Sequence, residues 1–498
     1  MIVDFGEYLP DLPDHENPGC VRTDNSTPVL TGYRPVKTLT ASTNNSLTAR
    51  GRGAISASDT TGNVYTFAGD VGQLYSLADG TWSNVAKGGA TAYALGDDEV
   101  WEFAKFKNDK VVAVCGVNGA TTNATQVITL GGSNFADLGG NAPQARRVGV
   151  VRDFVVVGNT WDSSANNMPN RVRWSAINNE ASWTASAATQ SDHQDLAGNG
   201  GEVVKIVGGE YGTIFQERSI WRMEYVGLPT VFQFDETLPG IGTRYPNSIA
   251  QLGDIIFCLA NDGFRSVING SSSETIGAEK VDRTVLADID DTYRFRVVGA
   301  IDAINQYYLC GYPSSGATGG VADKIMVYHW PTRRWSGPIS ADVQTLFNAL
   351  SAGTTLEGLD AVNASLDALP QSLDSRAWMG GILQLGAFDN TNSLAQFSGS
   401  NMTAIFETKE FSGDGEGHRL FVSRVRPLGH DGTNVTNILH RSSDLDTVTV
   451  SATATAETQG FHSHRVDDRL MAVRVTTSGE WTERNSVDIE LVKRGGFR

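Results

Sequence analysis

From Thr61 to Trp82 the chain reads TGNVYTFAGDVGQLYSLADGTW. Val64, Thr66 and Ala68 alternate with Tyr65 and Phe67, the period-two signature of a strand with two distinct faces. Gly69-Asp70-Val71-Gly72 supplies turn residues, alternation resumes from Gln73 to Leu77, and Asp79-Gly80 marks a second tight turn before Trp82. Two strands alone cannot bury an aromatic face, so the unit must be repeated and stacked.

The pattern returns in divergent copies between Ala49 and about Leu346. One runs from Val100 to Thr129 (WEFAKF, KVVAVCGV, TQVIT) and the next from Arg147 to Trp183 (VGVVRDFVVVGN, NRVRWSAINNEASW). Others run from Glu202 to Val226, Ser248 to Gly270 and Phe295 to Ile339. With the opening unit these make six blocks at roughly 50-residue spacing, which suits four-stranded propeller blades. The expected fold is therefore all-β: a β-propeller of six blades, with seven as the alternative count. Gly380 to Gly399 repeats the pattern once more and is a candidate for closing the ring, since an open propeller exposes a sheet edge.

The flanks differ. Residues 1–48 read as an extended, proline-bearing N-terminal arm, with Phe5, Tyr8, Leu9, Leu12 and Tyr33 as anchors to a surface. The propeller is expected over 49–411, with a short helical insertion near 355–372, where Leu356, Leu359, Val362, Leu366 and Leu369 fall at helical spacing before Pro370. Residues 412–498 alternate through FVSRVRPLG, TVTVSATA, RLMAVRVTT and SVDIELVK, which predicts a separate C-terminal β-sandwich-like domain.

Composition narrows the chemistry. The 498 residues carry a formal charge of -17, which argues against direct reading of nucleic acid but suits a surface that DNA passes without adhering. Cys20, Cys115, Cys258 and Cys310 are scattered without C-x-x-C spacing, so free, half-buried thiols are expected. The start, MIVDFGEYLPD, lacks the basic and apolar regions of a signal peptide, and Ile255 to Ala260 is far too short to span a bilayer, so a soluble protein is expected.

Few constellations suggest a reactive site, and no catalytic, cofactor-binding or metal-ligating residue is assigned. His462-Ser463-His464 puts two imidazoles on one strand face, expected to meet solvent because no carboxylate or thiol stands at a fixed offset to complete a metal site. Asp288, Asp290 and Asp291 lack the glycine and closing glutamate of a calcium loop. SLADGTW approaches a sialidase-type Asp-box, but Asp79 and Gly80 are adjacent where that pattern separates them. Arg50-Gly51-Arg52, Arg146-Arg147 and Arg333-Arg334 read as salt-bridging strand ends rather than a phosphate track. Tryptophans near strand ends, such as Trp101, Trp183 and Trp335, read as packing between sheets. A propeller glycosidase would need paired carboxylates in one pocket, which sequence cannot place.

FGEYLPDLP, GYRPVKTL, RVRWSAINNEASW and RLMAVRVTTSGEWTERNSVDIELV together resemble a family of phage virion proteins. These are the tail-hub or tail-nozzle proteins of short-tailed phages, also called packaged-DNA-stabilisation proteins. The resemblance implies a structural, non-enzymatic subunit without cofactors, forming a homo-hexameric ring in the virion tail after assembly in the host cytoplasm. It implies contacts with the portal adaptor and with tail fibre, spike or needle proteins, and double-stranded DNA passing through the lumen. It carries no catalytic residues. A propeller-based receptor- or glycan-binding tail protein is the alternative, and a polysaccharide depolymerase stands behind it. The arm is a candidate for reaching a neighbouring subunit.

Overall fold

The computed structural model describes residues 1–14, 17–89, 92–119, 121–162, 166–350, 365, 383–412 and 418–494. The opening stretch forms three strands, Val64–Gly69, Leu74–Ala78 and Thr81–Asn84, and Ala54–Ser58 adds the inner strand of the same antiparallel sheet. Asp79 and Gly80 both take positive φ (49° and 71°), as a two-residue hairpin turn matching the twist of its strands requires. Gly69 is glycine for a different reason: a Cβ there would lie 2.2 Å from the Trp101 ring, which packs on the backbone.

Four further four-stranded sheets follow in sequence order, over 102–137, 144–195, 203–239 and 250–275. A seven-stranded sheet comes next, and its central strand, Arg334–Leu350, serves two blades. Its first half pairs with Ala322–His329, completing the sixth blade. Its second half pairs with Leu383–Asp389, which pairs with Leu394–Asn401, which pairs with Lys37–Ala41 from the N-terminal region. That is a seventh blade, one more than the six expected and equal to the alternative count, and two of its strands lie in the stretch read as closing the ring. The inner strands of neighbouring blades pack side by side, and the seventh packs back on Ala54–Ser58, so the ring closes. The all-β propeller expectation holds. The helix expected over 355–372 lies outside the described residues. A short helix that the sequence did not announce, Asp282–Asp288, packs beneath the fifth blade.

The N-terminal residues are not a free arm. Cys20–Asp24 pairs with Ala404–Thr408, Ser26–Val29 pairs with Gly32–Pro35, and Ile2–Asp4 pairs with Glu483–Arg494. These strands complete two facing sheets built otherwise from 404–494. The expectation of an arm reaching a neighbour is corrected, because its backbone donors and acceptors and its apolar anchors are consumed within the chain. Phe5 stacks on Phe406 at 5.1 Å between centroids, and Tyr33 and Trp481 close round the same ring at 5.6 and 5.9 Å. All four are buried in the sandwich core with Val422, Val473 and Ile489. The boundary shifts with them: Ala404–Thr408 belongs to the sandwich sheet, and 37–41 to the propeller.

Cys20, Cys115, Cys258 and Cys310 are free and buried. Burial pushes the thiols of Cys20, Cys258 and Cys310 up to about 12, which leaves them unreactive. Among the described residues, no helix is long and apolar enough to cross a membrane.

Phe406 holds the two ends of the chain together. Phe406→Ala is expected to cost about 3–5 kcal/mol by chemical denaturation. Limited proteolysis of this variant should cut first within residues 1–35, because their strands lose the ring they pack on. Unchanged cleavage kinetics there would refute the packing role.

Candidate functional site

The inner strands of a propeller face its axis, so residues at equivalent positions from distant parts of the chain converge there. One axial space is a cavity of about 170 Å³ lined from the first, second, fourth, sixth and seventh blades, and from the segment leading into the fifth. Its charged lining consists of Arg50, Arg52, Lys205, Arg296 and Glu102. A second space, of about 100 Å³, is lined by Glu99, Arg146 and Arg147 among others, and a smaller one by Glu202, Glu217, Arg244 and Arg294. Phe295, on the 3₁₀ turn Asp291–Arg296, borders all three and lies across the axis. Asn247 Nδ2 donates to its carbonyl at 2.7 Å, which fixes the turn to the fifth blade.

Two segments repeat a pattern. Arg50-Gly51-Arg52 stands two residues before the inner strand Ala54–Ser58, and Arg294-Phe295-Arg296 two residues before Val298–Asp302. The same register brings Arg52 and Arg296 to the same cavity. Glu102 is the counter-charge on the facing side. Its Oε1 takes Arg147 Nη1 at 2.9 Å and Lys205 Nζ at 3.0 Å, and its Oε2 accepts from the Val148 amide at 3.2 Å. Glu102 and Arg147 are both buried, so neither charge can be removed singly without stranding the other.

The candidates from the sequence fare differently. Arg50, Arg52, Arg146 and Arg147, read as separate strand ends, come together around the axis. Arg333 and Arg334 lie elsewhere: Arg333 pairs with Glu274, while Arg334 donates to the carbonyls of Val29 and Gly6 and covers the Tyr33 ring. Asp288 ends the short helix and binds Lys324 Nζ at 2.7 Å and the Tyr312 hydroxyl at 3.2 Å, and Asp290 caps the 3₁₀ turn through the Thr292 amide. Trp101, Trp183 and Trp335 are buried. Arg294, Phe295, Arg296 and Lys205 were not singled out from sequence, although the repeated R-x-R ahead of a strand was a usable signal. Among the described residues, no group of three or more His, Cys, Asp or Glu side chains is placed to hold a metal.

His462 and His464 do share a strand face, but it is the buried one, which corrects the solvent-facing expectation. His464 Nε2 hydrogen-bonds Thr436 Oγ1 at 2.8 Å, and His462 Nδ1 meets the Ala454 carbonyl at 3.1 Å. Burial, with His462 adding to it, lowers His464 to about 4.

No protein-family model and no curated relative matches the chain. Among solved structures it is similar to the WD40 domain of Neurospora crassa Pan2, at 8% identity over 72% of this chain and 95% of that one, with a TM-score of 0.39. It is also similar to an exo-β-1,3-galactanase from Phanerochaete chrysosporium, at 11% identity over 92% and 100% of the two chains, with a TM-score of 0.28. A Bacteroides ovatus GH43B protein is similar at 12% identity over 95% and 100%, with a TM-score of 0.25. The expectation of a non-enzymatic protein is corrected by this finding. Glycoside hydrolases stand among the similar structures, so a propeller body gives no ground for excluding catalysis.

Two measurements test these assignments. Glu102→Gln leaves Arg147 and Lys205 without their shared carboxylate and is expected to lose about 3–5 kcal/mol, with Glu102→Met/Arg147→Met recovering part of that loss; equal losses for single and double variants would refute the coupling. A histidine held below its unfolded pKa contributes stability that is complete above about 6.5 and declines as pH falls through that value toward about 4. Asp282, which burial pushes up to about 6, acts with the opposite sign in an overlapping window, so the informative quantity is wild type against His464→Gln. Between pH 6.5 and 4 the wild type should lose on the order of 3 kcal/mol relative to this variant. A constant difference in urea denaturation across that range would refute the buried neutral imidazole.

Proposed function

We propose that this chain is a virion subunit of a phage tail hub or nozzle. Six copies form a ring below the portal and its adaptor and continue the exit path of the packaged DNA. The observation that carries the reading is the weld between the two ends of the chain. Two of the phrases on which the family resemblance rests meet there: Phe5 of FGEYLPDLP is buried in the sandwich core and its amide donates to the Asn485 carbonyl of the terminal RLMAVRVTTSGEWTERNSVDIELV at 2.8 Å, while Tyr8 of the same phrase is buried in the propeller with Phe257 and Tyr308. GYRPVKTL then runs from that sandwich into the seventh blade. Propeller and sandwich are thus joined by several chain crossings. Such a joint suits a subunit that bears load between two neighbours in a ring, where head-to-tail interfaces need two unlike faces held in fixed relation.

Charge supports the same reading. The chain carries -17 overall while several of its arginines turn to the propeller axis, which leaves an acidic exterior that repels phosphates. The propeller axis, crossed by Phe295, is then not the DNA path; the lumen is the space enclosed by the ring of subunits.

Native mass measurement of the purified chain, alone and mixed with the portal-adaptor ring of the same phage, tests this. The expected result is a hexamer in one or both conditions. A strict monomer in both would overturn the proposal.

A further inference from the structure

We propose that the axial cavity is a binding site for a single phosphate group, held by Arg50, Arg52 and Arg296. This inference does not rest on the tail-hub reading. It starts from a charge imbalance: four cations line the cavity and Glu102 is the one carboxylate among them. Glu102 is already shared by Arg147 and Lys205. What remains are three guanidinium groups, and among the described residues none of them has a carboxylate ion pair.

Their hydrogen bonds go to backbone carbonyls instead. Arg50 Nη2 donates to Asp97 O at 3.1 Å, Arg52 Nη1 to the carbonyls of Gly96 and Glu99, and Arg296 Nη1 to Gly319 O. Carbonyls satisfy a donor but do not neutralise a charge. Among the described residues the buried Nε groups of Arg52 and Arg296 have no hydrogen-bond acceptor, and neither do those of Arg146 and Arg147 beside the adjoining space. Buried donors of this kind need an acceptor. Burial, then Arg296 and Arg52, press the Arg50 guanidinium down to about 10, and Asp97 and Asp98 oppose that only from exposed positions. Arginine keeps its proton near neutral pH, so the cluster cannot relieve the repulsion by deprotonation.

A phosphate group answers the uncompensated charge through the outer guanidinium N–H groups that face the cavity. It brings more than one negative charge and several acceptor oxygens, and guanidinium groups bind it in a fork geometry that a carbonyl cannot use. The cavity, about 170 Å³ in volume, has room for a phosphate group. The group comes either as inorganic phosphate or as the end of a larger phosphate ester whose remainder stays outside.

Isothermal titration calorimetry of the full chain with inorganic phosphate, at constant ionic strength against chloride, is the test. The expected result is saturable binding of one phosphate per chain. Near-saturation should bring a rise in Tm on the order of 2–4 °C. Arg296→Gln and Arg50→Gln should each weaken binding at least tenfold. Adenosine monophosphate with comparable affinity would identify a phosphate ester as an admissible source; binding of inorganic phosphate alone would identify the free ion. Should the variants fail to fold, phenylglyoxal modification of the wild type supplies the readout, with phosphate expected to protect Arg50, Arg52 and Arg296 selectively. No saturable binding at millimolar phosphate, equal binding by wild type and folded variants, or no selective protection would overturn the proposal.

Discussion

The structure depends on one ladder, the pairing of Lys37–Ala41 with Leu394–Asn401. Every other blade is assembled from consecutive hairpins, whose closure is local. This one joins segments more than 350 residues apart in sequence, and it is reinforced where Met402 N donates to Val36 O and Ser42 N to Leu394 O, both at 2.8 Å. Without it the seventh blade has two full strands and half of Arg334–Leu350, and its outer edge offers unpaired backbone to any passing strand. The same N-terminal stretch runs on into both sheets of the sandwich, so ring closure and sandwich assembly share their strands. The two bodies are therefore coupled, and the loop-closure entropy of joining the chain ends is offset by contacts in both at once.

Closing a ring also decides where charge goes. Inner strands arrive at the axis in the same sense, as the parallel bridge between Val151 and Gly209 at the ends of two neighbouring inner strands illustrates. Side chains a fixed distance into each strand then meet, whatever their separation in sequence. In an acidic chain this has gathered arginines from the first, third and sixth blades into a partly desolvated space. Glu102 compensates the side nearest Arg147 and Lys205, and the Arg50, Arg52 and Arg296 side is left to backbone carbonyls.

What could be seen in the sequence follows from the physics of each element. Central strands bury both faces, as Tyr307–Tyr312 does, and their apolar runs and flanking turns located six blocks. Of the seventh blade only the hairpin within Gly380 to Gly399 was visible, because its other strands come from 37–41 and 343–350 and no single window contains all four. The N-terminal anchors Phe5, Tyr8 and Tyr33 were recognisable as apolar, and all three are buried. Periodicity says that a residue is buried, though, and not against which body. His462 and His464 show the same limit: period two put them on one face, but nothing in the spacing said which face the second sheet would cover. The axial arginines were visible only as isolated pairs, because adjacency at the axis is a property of the closed ring and of no segment within it.

The seam and the arginine cluster are one physical problem. Gly51, between Arg50 and Arg52, donates its amide to Gln344 Oε1 at 2.7 Å, and Gln344 Nε2 donates to Asn392 Oδ1 at 2.7 Å. A Cβ on Gly51 would lie 2.9 Å from the Phe388 ring, so the seventh blade closes directly onto this segment. Arg50 and Arg52 are thus held at the junction of the first and seventh blades, and Arg296 precedes the inner strand of the sixth. Their mutual repulsion acts across the place where the ring is shut. Backbone pairing between distant strands is enough to hold a seam of neutral side chains, but here it works against like charges in a medium that screens them poorly. An anion between those three guanidiniums would turn that repulsion into an attraction across the seam, so occupancy of the cavity would add to the stability that the backbone ladder already gives the ring.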